Sequence, residues 1–379
     1  MDQIFYKFKE IADEYRLTPE WQVMVDTVED SPWHRESNVA VHTEMVVQQW
    51  IDRFMHSSSD QTNKIALLAL FFHDAGKPDA EEELERADGS GKYRRYAGHE
   101  SVSSKAFMEF YLKCCKLNDW VTIAEARAIR WIIENHLPYG LKHKQKVTDL
   151  KLATIRVLEE VGCDIDTFYN CLRADAAGRI SDDHATKLAA VEDWIANFDS
   201  VNISKDASET ISTTMTLLVG PSGSGKSTYR AEFENDIVIS DDDMKVSAYC
   251  EKFPNADGDI YSKAWEYWTI QEQNEYRKIR NGIINASVKK AVQENRNIIV
   301  DVVNASKKKR AEFVALAKHH KMHIKVVEFW VPLEVLIARQ NTRDDKCVPA
   351  SSVKSQYNAI GLAWVGSECH SVEVIPCFA

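Results

Sequence analysis

The sequence predicts two domains of different class, an all-α domain followed by an α/β domain with a mainly parallel sheet. A chain of 379 residues is longer than one hydrophobic core usually serves. Apolar residues recur at helical spacing through the first half, whereas short Val- and Ile-rich runs alternate with helical stretches in the second. We therefore expect a helical domain over 1–200, a linker over 201–213 and an α/β domain over 214–379.

The helical period of the first domain is carried by segments in which apolar residues return on one face every three or four positions. Continuous β-branched runs, which strands favour, are nearly absent from this half. Helix packed on helix is therefore the expected architecture. The segments are NVAVHTEMVVQQWIDRFM, NKIALLALFFHD, SVSSKAFMEFYLKCCKL, AEARAIRWIIENH and DDHATKLAAVEDWIANF.

A polar stretch without an apolar period separates the halves, and the pattern then changes. Strands that alternate with helices form parallel sheets covered on both faces, so their sequences read as continuous apolar runs. The candidate strands are MTLLVG (215–220), DIVIS (236–240), NIIVDVV (297–303) and HIKVVEFWVP (323–332).

Composition excludes several classes of protein. A net charge of −11 argues against a protein that coats nucleic acid, although a few local cations could still hold one strand end. No apolar run approaches the roughly 20 residues that span a bilayer, and the acidic, amphipathic N-terminus is unlike a signal peptide. The eight cysteines include no Cys-x-x-Cys spacing, which favours reduced thiols and a cytoplasmic location.

The segment LLVGPSGSGKSTYR (217–230) contains a G-x-x-x-x-G-K-S motif between a predicted strand and a helical pattern. Glycines let backbone N–H groups wrap phosphates, the lysine reaches the β- and γ-phosphates, and the serine hydroxyl holds Mg²⁺. This P-loop predicts a site for ATP, or another nucleoside triphosphate, with Mg²⁺. The predicted nucleotide-binding residues are Gly220, Ser222, Gly223, Gly225, Lys226, Ser227 and Thr228.

The segment VISDDDMKVSAY (238–249) predicts where the acceptor of the phosphate binds. Its aspartates follow the second strand, at the edge where α/β sheets bind ligands. One of these aspartates would serve as a general base for a hydroxyl, although an acidic turn that caps a helix is the simpler alternative. Arg339 and Arg343 lie four residues apart, as in a basic lid over phosphoryl charge or an ordinary solvated helix face.

Residues 213–379 resemble the kinase domain of phage-type 5′-polynucleotide kinases. The similarity runs through G-x-S-G-K-S-T, the Asp-Asp turn, IIVDVVNASKKKR and the V-P…R-x-x-x-R…V-P segment. The resemblance implies that Lys226, Arg339 and Arg343 contact the donor phosphates and that Asp242 accepts the proton of the 5′-hydroxyl, with Asp241 as the alternative base. It also implies that Asp301 orients the residue that holds the acceptor's 3′-phosphate, usually arginine but here Lys245.

The first half contains LLALFFHDAGKP (67–78), in which His73-Asp74 ends an apolar run. About one His-Asp dipeptide is expected by chance in such a chain. Further candidate ligands lie near the ends of other helical segments, and any one of these histidines alone is more simply explained as a core residue. Imidazole with carboxylate suits Mn, Ni, Co, Fe or Zn. The additional candidates are His42, His99, His136 and Asp175.

The order H…HD…H…H…D, with HDxGKP, GHE and RADA around it, resembles the HD phosphohydrolase superfamily over residues 32–180. The resemblance implies one metal held by His42, His73, Asp74 and Asp175, and a second recruited by His99 and His136. Such metals activate water and polarise a phosphoryl oxygen. Asp74 is then catalytic, with phosphate contacts from Lys77, Arg179 and, as a weaker candidate, His34; simple surface charge stays open as the alternative for Lys77 and Arg179.

Together the halves resemble the HD–polynucleotide kinase fusions of bacteria and phages. The resemblance implies healing of broken RNA, with DNA as the alternative substrate, through 5′ phosphorylation and removal of a 2′,3′-cyclic or 3′-phosphate. Sealing would need a separate ligase. Two alternatives stay open: a nucleoside or nucleotide kinase joined to an HD nucleotidase that acts on free metabolites, and a non-catalytic nucleotide sensor. The aromatic, basic stretch 263–290 favours a polymer only weakly, because aromatics at helical spacing usually form core.

Overall fold

The structure, a computed structural model, describes residues 2–29, 37–85, 89, 91–138, 144–181, 184–203, 213–342 and 347–378. The chain forms two compact units, 1–205 with 378–379 and 206–377. The first unit is helical and the second is an α/β unit with a parallel sheet, which confirms the predicted fold class. Most of the predicted linker lies outside the described residues. None of the helices in the described ranges is long and apolar enough to cross a membrane.

The first unit is built from helices joined by short connections, as its apolar period predicts. Its described helices are α1 (Asp2–Arg16), α2 (Pro19–Asp26), α3 (Val39–Arg53), α4 (Asp60–Phe72), α5 (His99–Lys113), α6 (Cys115–Trp120), α7 (Ile123–Glu134), α8 (Lys144–Glu159), α9 (Ile165–Ala177) and α10 (His184–Asp199).

Helix α4 forms the centre of this unit. It begins at Asp60 after Ser59, whose side chain accepts the backbone N–H of Thr62 at 3.0 Å. Every residue from Asn63 to Phe72 is buried, as expected for a helix with neighbours on all sides. It packs against α1, α3, α7 and α9, and its end delivers His73-Asp74 into the interior.

Two glycines allow close approaches that bring the helix ends together. A Cβ on Gly178, just after α9, would lie 2.6 Å from the Cγ2 atom of Val46 on α3. A Cβ on Gly76 would collide with the backbone of Val102 and Ser103 on α5, and the Gly76 N–H donates to Ser103 Oγ at 2.8 Å. The glycine of HDAGKP therefore lets the segment after α4 lie directly on α5.

Two small antiparallel pairs interrupt the helices, and the sequence patterns did not predict them. The strands β1 (Val28–Glu29) and β2 (Ser37–Asn38) have two residues each, too few for an alternating pattern. The strands β3 (Glu82–Glu85) and β4 (Lys92–Arg95) place acidic residues opposite basic ones, and these pairs stabilise the hairpin. Their sequences are mostly polar and therefore show no apolar alternation.

The second unit has a five-stranded sheet in the order β6-β7-β5-β8-β9, in which all neighbours are parallel. The half-buried edge strand β9 was not predicted because SVEVIP lacks the continuous apolar run by which the other four strands were identified. The strands are β5 (Thr214–Val219), β6 (Ile237–Ser240), β7 (Ile298–Asp301), β8 (His323–Trp330) and β9 (Ser371–Pro376).

The helices of this unit follow the strands and cover the sheet, and a short π-helical segment (Tyr267–Gln271) precedes the longest of them. They are α11 (Lys226–Arg230), α12 (Asp241–Lys252), α13 (Ile260–Glu266), α14 (Gln273–Glu294), α15 (Lys307–His319), α16 (Leu333–Asn341) and α17 (Ala350–Ala359).

A buried ion pair joins α15 to the segment before β9. Arg310 is fully buried and forms a two-point ion pair with Glu368, through Nε to Oε1 and through Nη2 to Oε2. The remaining guanidinium N–H groups donate to backbone carbonyls, including that of Leu362 at 3.2 Å. Every charge in this pair is therefore compensated, the condition under which a buried ion pair is tolerated.

Candidate functional sites

The residues predicted to bind metal meet in one buried cluster within the first unit, although they come from five different parts of the chain. They are delivered by α3, the end of α4, the start of α5, the segment after α7, and α9. The cluster consists of His42, His73, Asp74, His99, His136 and Asp175, all buried.

The side chains form two groups that could each hold a cation. In the first group, His42 Nε2 lies 3.3 Å from Asp175 Oδ1 and 3.3 Å from His73 Nε2. His73 Nε2 lies 3.7 Å from the same Asp175 oxygen. Two imidazole nitrogens and one carboxylate oxygen thus face a common point, a ligand set that suits borderline divalent metals.

The second group contains His99, His136 and Asp74. His99 Nε2 lies 3.0 Å from Asp74 Oδ1, and His136 Nε2 lies 3.7 Å from it. The two Nε2 atoms are 3.3 Å apart. This group has the same donor types as the first.

Asp74 lies between the groups. Its Oδ2 atom is 3.1 Å from His73 Nε2 and 3.4 Å from His42 Nε2, whereas Oδ1 faces His99. Burial alone would raise the pKa of Asp74, but the nearby His73 and Lys77 hold it well below its usual range. One ionised carboxylate is therefore in a position to bridge two cations.

Backbone carbonyls fix the orientation of three imidazole rings. The Nδ1 atoms of His73, His99 and His136 bond to carbonyl oxygens at 2.6, 2.7 and 2.7 Å respectively. In neutral rings, the donor proton then lies on Nδ1 and the Nε2 lone pair points inward. Lone pairs only 3.3 Å apart repel each other unless a cation lies between them, so the donor set fits a metal centre.

Lys77 lies beside this centre. It is buried, with Nζ 2.8 Å from Asp74 Oδ2, and it forms a second ion pair with buried Glu29. Burial would lower the pKa of Lys77, but the two carboxylates raise it, so the ammonium stays charged. Glu29 was not predicted from the sequence because it lies on two-residue strand β1, 48 positions before its partner.

Arg179 holds the other carboxylate. Its Nε donates to Asp175 Oδ1 at 3.3 Å, and Nη2 donates to Oδ2 at 2.5 Å. Although burial raises the pKa of Asp175, the guanidinium keeps it well below its usual range. His34, the weaker predicted phosphate contact, lies outside the described residues.

In the second unit, the P-loop joins β5 to α11. Gly223 and Gly225 have φ angles of +86° and +100°, which favour glycine. Lys226 Nζ donates to the carbonyls of Gly220 and Pro221 at 2.8 Å each. The predicted phosphate and Mg²⁺ contacts Ser227 and Thr228 lie in the first turn of α11, and both are exposed.

The three aspartates after β6 form the first turn of α12, where Ser240 provides the N-cap. Asp241 is held from three sides, by an ion pair with Lys245, by the Tyr276 hydroxyl at 2.8 Å and by Arg280 at 3.7 Å. Asp242 accepts one hydrogen bond within the described part of the chain, from Nε1 of half-buried Trp265 at 3.2 Å.

Asp301 and Lys245, which the resemblance expects to act together, do not pair in this structure. Asp301 Oδ2 pairs instead with Nη1 of Arg230 at 3.0 Å, and the same nitrogen lies 3.1 Å from Asp243 Oδ2. Lys245 binds Asp241, one helical turn before it, and its ammonium lies 3.6 Å from the centre of the Trp265 ring.

Burial raises the pKa of Asp301, against the opposing influence of Lys226 and Arg230. Arg230 was not predicted because it follows the P-loop at a position to which the motif assigns no chemistry.

On the other side of the P-loop, Arg339 Nη1 donates to the carbonyl of Gly223 at 3.0 Å. Arg343, the second predicted lid residue, lies outside the described residues. Gln356 of α17 also reaches the loop, because its Oε1 accepts the Ser222 backbone N–H at 2.8 Å. No sequence signal distinguishes this glutamine from an ordinary helix residue.

Residues 215–360 match the model of a family described as AAA domain. The matched segment contains the P-loop and makes up less than half of the chain. The match supports a nucleotide-binding P-loop domain and thereby implies ATP with Mg²⁺. None of the curated proteins matches.

Among solved structures, a chain in "Structure of the Pnkp1/Rnl/Hen1 RNA repair complex" is 21% identical, with a TM-score of 0.31. The likeness covers 42% of this chain and 47% of that one, so it spans about half the length of its match.

Proposed function

We propose that this protein heals broken RNA ends, with DNA ends as a second possible substrate. The second unit would transfer the γ-phosphate of ATP to a 5′-hydroxyl, and the first would remove a 2′,3′-cyclic phosphate or 3′-phosphate. The observation that carries the proposal is that one chain holds both a P-loop unit with an aspartate-lined acceptor edge and a buried histidine–aspartate centre. These sites have the chemistry that the two ends of a broken strand require.

In the kinase reaction, Asp242 is the better candidate for the general base. Asp241 is held by Lys245, Tyr276 and Arg280, whereas the described partner of Asp242 is Trp265. One oxygen of Asp242 accepts the indole N–H, so the other can accept the proton of the attacking hydroxyl.

The donor side supplies positive charge to the transferring phosphoryl group. Lys226 would turn from the loop carbonyls to the phosphates, and Arg339, already at Gly223, would neutralise developing charge. Arg343 is expected to join it. Ser227, at the start of α11, would hold Mg²⁺.

In the hydrolytic reaction, a bound divalent metal supplies an activated water and polarises a phosphoryl oxygen. The chain's own residues set up this centre. Nδ1–H donation to carbonyls directs the Nε2 lone pairs of His73, His99 and His136 inward. Lys77 and Arg179 hold Asp74 and Asp175 ionised and present cationic N–H groups beside the centre, where an incoming phosphate would accept them.

A polymeric acceptor is supported by the surface beside Asp242. Half-buried Trp265 lies on α13, and Arg280 of α14 lies 3.7 Å from neighbouring Asp241. An aromatic face with neighbouring cations suits a nucleotide base and its flanking phosphate. Arg230, anchored by Asp301, offers a guanidinium at the same edge. Since the usual arginine is replaced by Lys245, which binds Asp241, Arg230 is the better candidate for an acceptor phosphate contact.

The test uses one RNA oligomer with a 5′-hydroxyl and a 2′,3′-cyclic phosphate, together with γ-labelled ATP, Mg²⁺ and added Mn²⁺ or Ni²⁺. The wild-type chain should label the 5′ end and convert the 3′ end. Lys226→Ala should lose only the labelling, and Asp74→Ala only the 3′ conversion. His319→Ala, a change near the end of α15 away from both predicted sites, is the matched control and should retain both reactions.

Free nucleosides and a nucleoside 2′,3′-cyclic phosphate are assayed in parallel. Equal phosphorylation of nucleosides and oligomer would replace end healing with metabolite phosphorylation. ATP binding without any phosphoryl transfer or 3′ conversion would instead favour the nucleotide sensor.

A further inference from the structure

Gln356 makes a two-point contact with the P-loop. Its Oε1 atom accepts the backbone N–H of Ser222 at 2.8 Å and the hydroxyl of the same residue at 3.0 Å. Ser222 is the third residue of the GPSGSGKS motif, in which backbone N–H groups are the ligands of phosphate oxygens. A neutral amide oxygen therefore binds where the motif is built to bind an anion.

The contact belongs to a larger docking of α16 and α17 on the loop. Arg339 donates to the Gly223 carbonyl, and a Cβ on Gly223 would lie 2.6 Å from Nε2 of Gln340. Gln340 is 2% exposed; its Oε1 accepts the Val348 N–H at 3.1 Å, but Nε2 has no hydrogen-bond partner in the described part of the chain. Ser222 thus contacts α17 and Gly223 contacts α16. The buried Nε2 of Gln340 is an unsatisfied donor beside them.

We infer that Gln356 sets the affinity of the P-loop for its donor nucleotide by competing with a phosphate oxygen for Ser222. The inference rests on the proposed kinase function. A single N–H serves one strong acceptor at a time, so a phosphate oxygen at this position requires the Gln356 bond to break. Phosphate wins because a charge-assisted hydrogen bond is stronger than a neutral one. Breaking the hydrogen bond between Ser222 and Gln356 costs free energy, and this cost weakens nucleotide binding.

The inference also explains why the contact uses glutamine. A carboxylate in its place would bind the same N–H more strongly and would repel the triphosphate. A residue without an acceptor oxygen would leave the loop free for the nucleotide. Glutamine gives an intermediate competitor, which a charged phosphate oxygen can displace.

The experiment is calorimetric titration of the full chain with Mg-ATP. Gln356→Met keeps most of the side-chain volume and removes the acceptor, so the Kd should fall about three- to ten-fold, the factor contributed by one neutral hydrogen bond. Gln356→Glu should raise the Kd at least about ten-fold, since it adds charge repulsion. Ser355→Ala, a change of an exposed neighbour on α17, is the control and should leave the Kd unchanged.

A Kd that is unchanged or raised in Gln356→Met overturns the inference, because a raised Kd would mean that Gln356 contacts the nucleotide favourably. Thermal unfolding of each variant verifies that it is folded, and Gln356→Ala serves as a second acceptor-free variant with the same expected direction. If the wild-type chain binds no ATP, the proposed kinase function fails, and the inference fails with it. ATP binding by wild type with no gain in either acceptor-free variant rejects the inference alone.

Discussion

The Nε2 atoms of His99 and His136 lie 3.3 Å apart, and each ring is bonded through Nδ1 to a backbone carbonyl. Neither Nε2 of the neutral rings can donate a proton to the other. The arrangement therefore stores electrostatic repulsion that a cation relieves. Metal binding at this centre should consequently stabilise the helical unit as well as enable chemistry.

A first prediction concerns metal and stability. Mn²⁺ or Ni²⁺ at about 100 times its Kd should stabilise the helical unit by about 2.7 kcal/mol, raising its Tm by roughly 5–10 °C, and a chelator should reverse the shift. His136→Ala should bind less metal and show a smaller shift. His56→Ala, a change of an exposed histidine, is the control and should behave like wild type. Thermal unfolding and metal analysis of the purified variants provide the readouts.

Equal metal content in His136→Ala and wild type would remove this residue from the ligand set. Asp74→Ala should lose more metal than His136→Ala, because Asp74 faces both groups. Equal losses in the two variants would argue against a bridging carboxylate.

A second prediction separates the two adjacent aspartates. Asp242→Asn should slow the turnover of the kinase reaction by about 10²–10⁴-fold, the usual contribution of a general base, while ATP binding and 3′ processing persist. Asp241→Asn should slow it on the order of ten-fold or less but should lower the stability of the α/β unit, because Lys245 would lose a charged partner. Single-turnover assays and urea unfolding measure the two effects. The reverse ranking in turnover would make Asp241 the base.

Trp265 is the positioning residue in this scheme, since its N–H binds Asp242. Trp265→Phe keeps an aromatic ring but removes the hydrogen bond. We expect the turnover of the kinase reaction to fall several-fold with little change in the KM for the acceptor, because the carboxylate loses the donor that orients it. A raised KM for the acceptor with an unchanged turnover would instead indicate that Trp265 serves only as a stacking surface.

A third prediction concerns pH. Lys105 on α5 is buried with its ammonium 3.1 Å from Ser101 Oγ, and burial lowers its pKa from 10.5 to about 8, against the attraction of Glu134 and with a further lowering by Arg130. Between pH 8 and 10.5 the unfolded chain therefore binds a proton that the folded chain does not. The stability of the helical unit should rise with pH in this window, by up to roughly 3 kcal/mol.

Lys105→Met removes the titrating group and keeps the length of the side chain. The difference in urea stability between wild type and Lys105→Met should shrink as the pH rises from about 8 to about 10, with Met the more stable variant at the lower pH. Hydrogen exchange in peptides from α5 and α7 identifies the unit that responds. A difference that does not vary with pH would mean that Lys105 keeps an ordinary pKa in the folded protein.

A fourth prediction concerns the buried pair Arg310–Glu368. Arg310→Met should destabilise the α/β unit by about 3–5 kcal/mol, because it leaves a buried carboxylate without its partner. The double variant Arg310→Met/Glu368→Met should recover part of that loss, since no uncompensated charge remains. Chemical unfolding measures both. If the double variant is less stable than the single one, the pair contributes more than charge compensation.

Much of the fold could be predicted from the sequence because its signals are local. The apolar residues of α3 return at helical spacing, and the strand–glycine loop–helix order around Lys226 is specific in itself. The strands β1 to β4 were not predicted because two to four mostly polar residues give no clear alternation, and the edge strand β9 was missed because it lacks a continuous apolar run.

The sites could be predicted less completely because their partners are distant in sequence. Glu29 meets Lys77 over 48 positions, and Gln356 meets Ser222 over 134. Such contacts depend on how helices pack, and no spacing rule encodes them. The expected Asp301–Lys245 pair is absent for the opposite reason: a carboxylate one turn away on the same helix, Asp241, binds the lysine instead.

The strand order of the sheet has a consequence for how this protein can change. β5, which leads into the P-loop, is central; the acidic residues follow β6 and β7 on one side, and the helices that dock on the loop follow β8 on the other. In the proposed kinase, most acceptor contacts would therefore come from the chain around β6 and β7, and the helices over the donor from the chain after β8, with the P-loop and α11 between them. If the proposed function holds, substitutions in one stretch would change which strand end is accepted while nucleotide binding persists, so the two preferences could evolve independently.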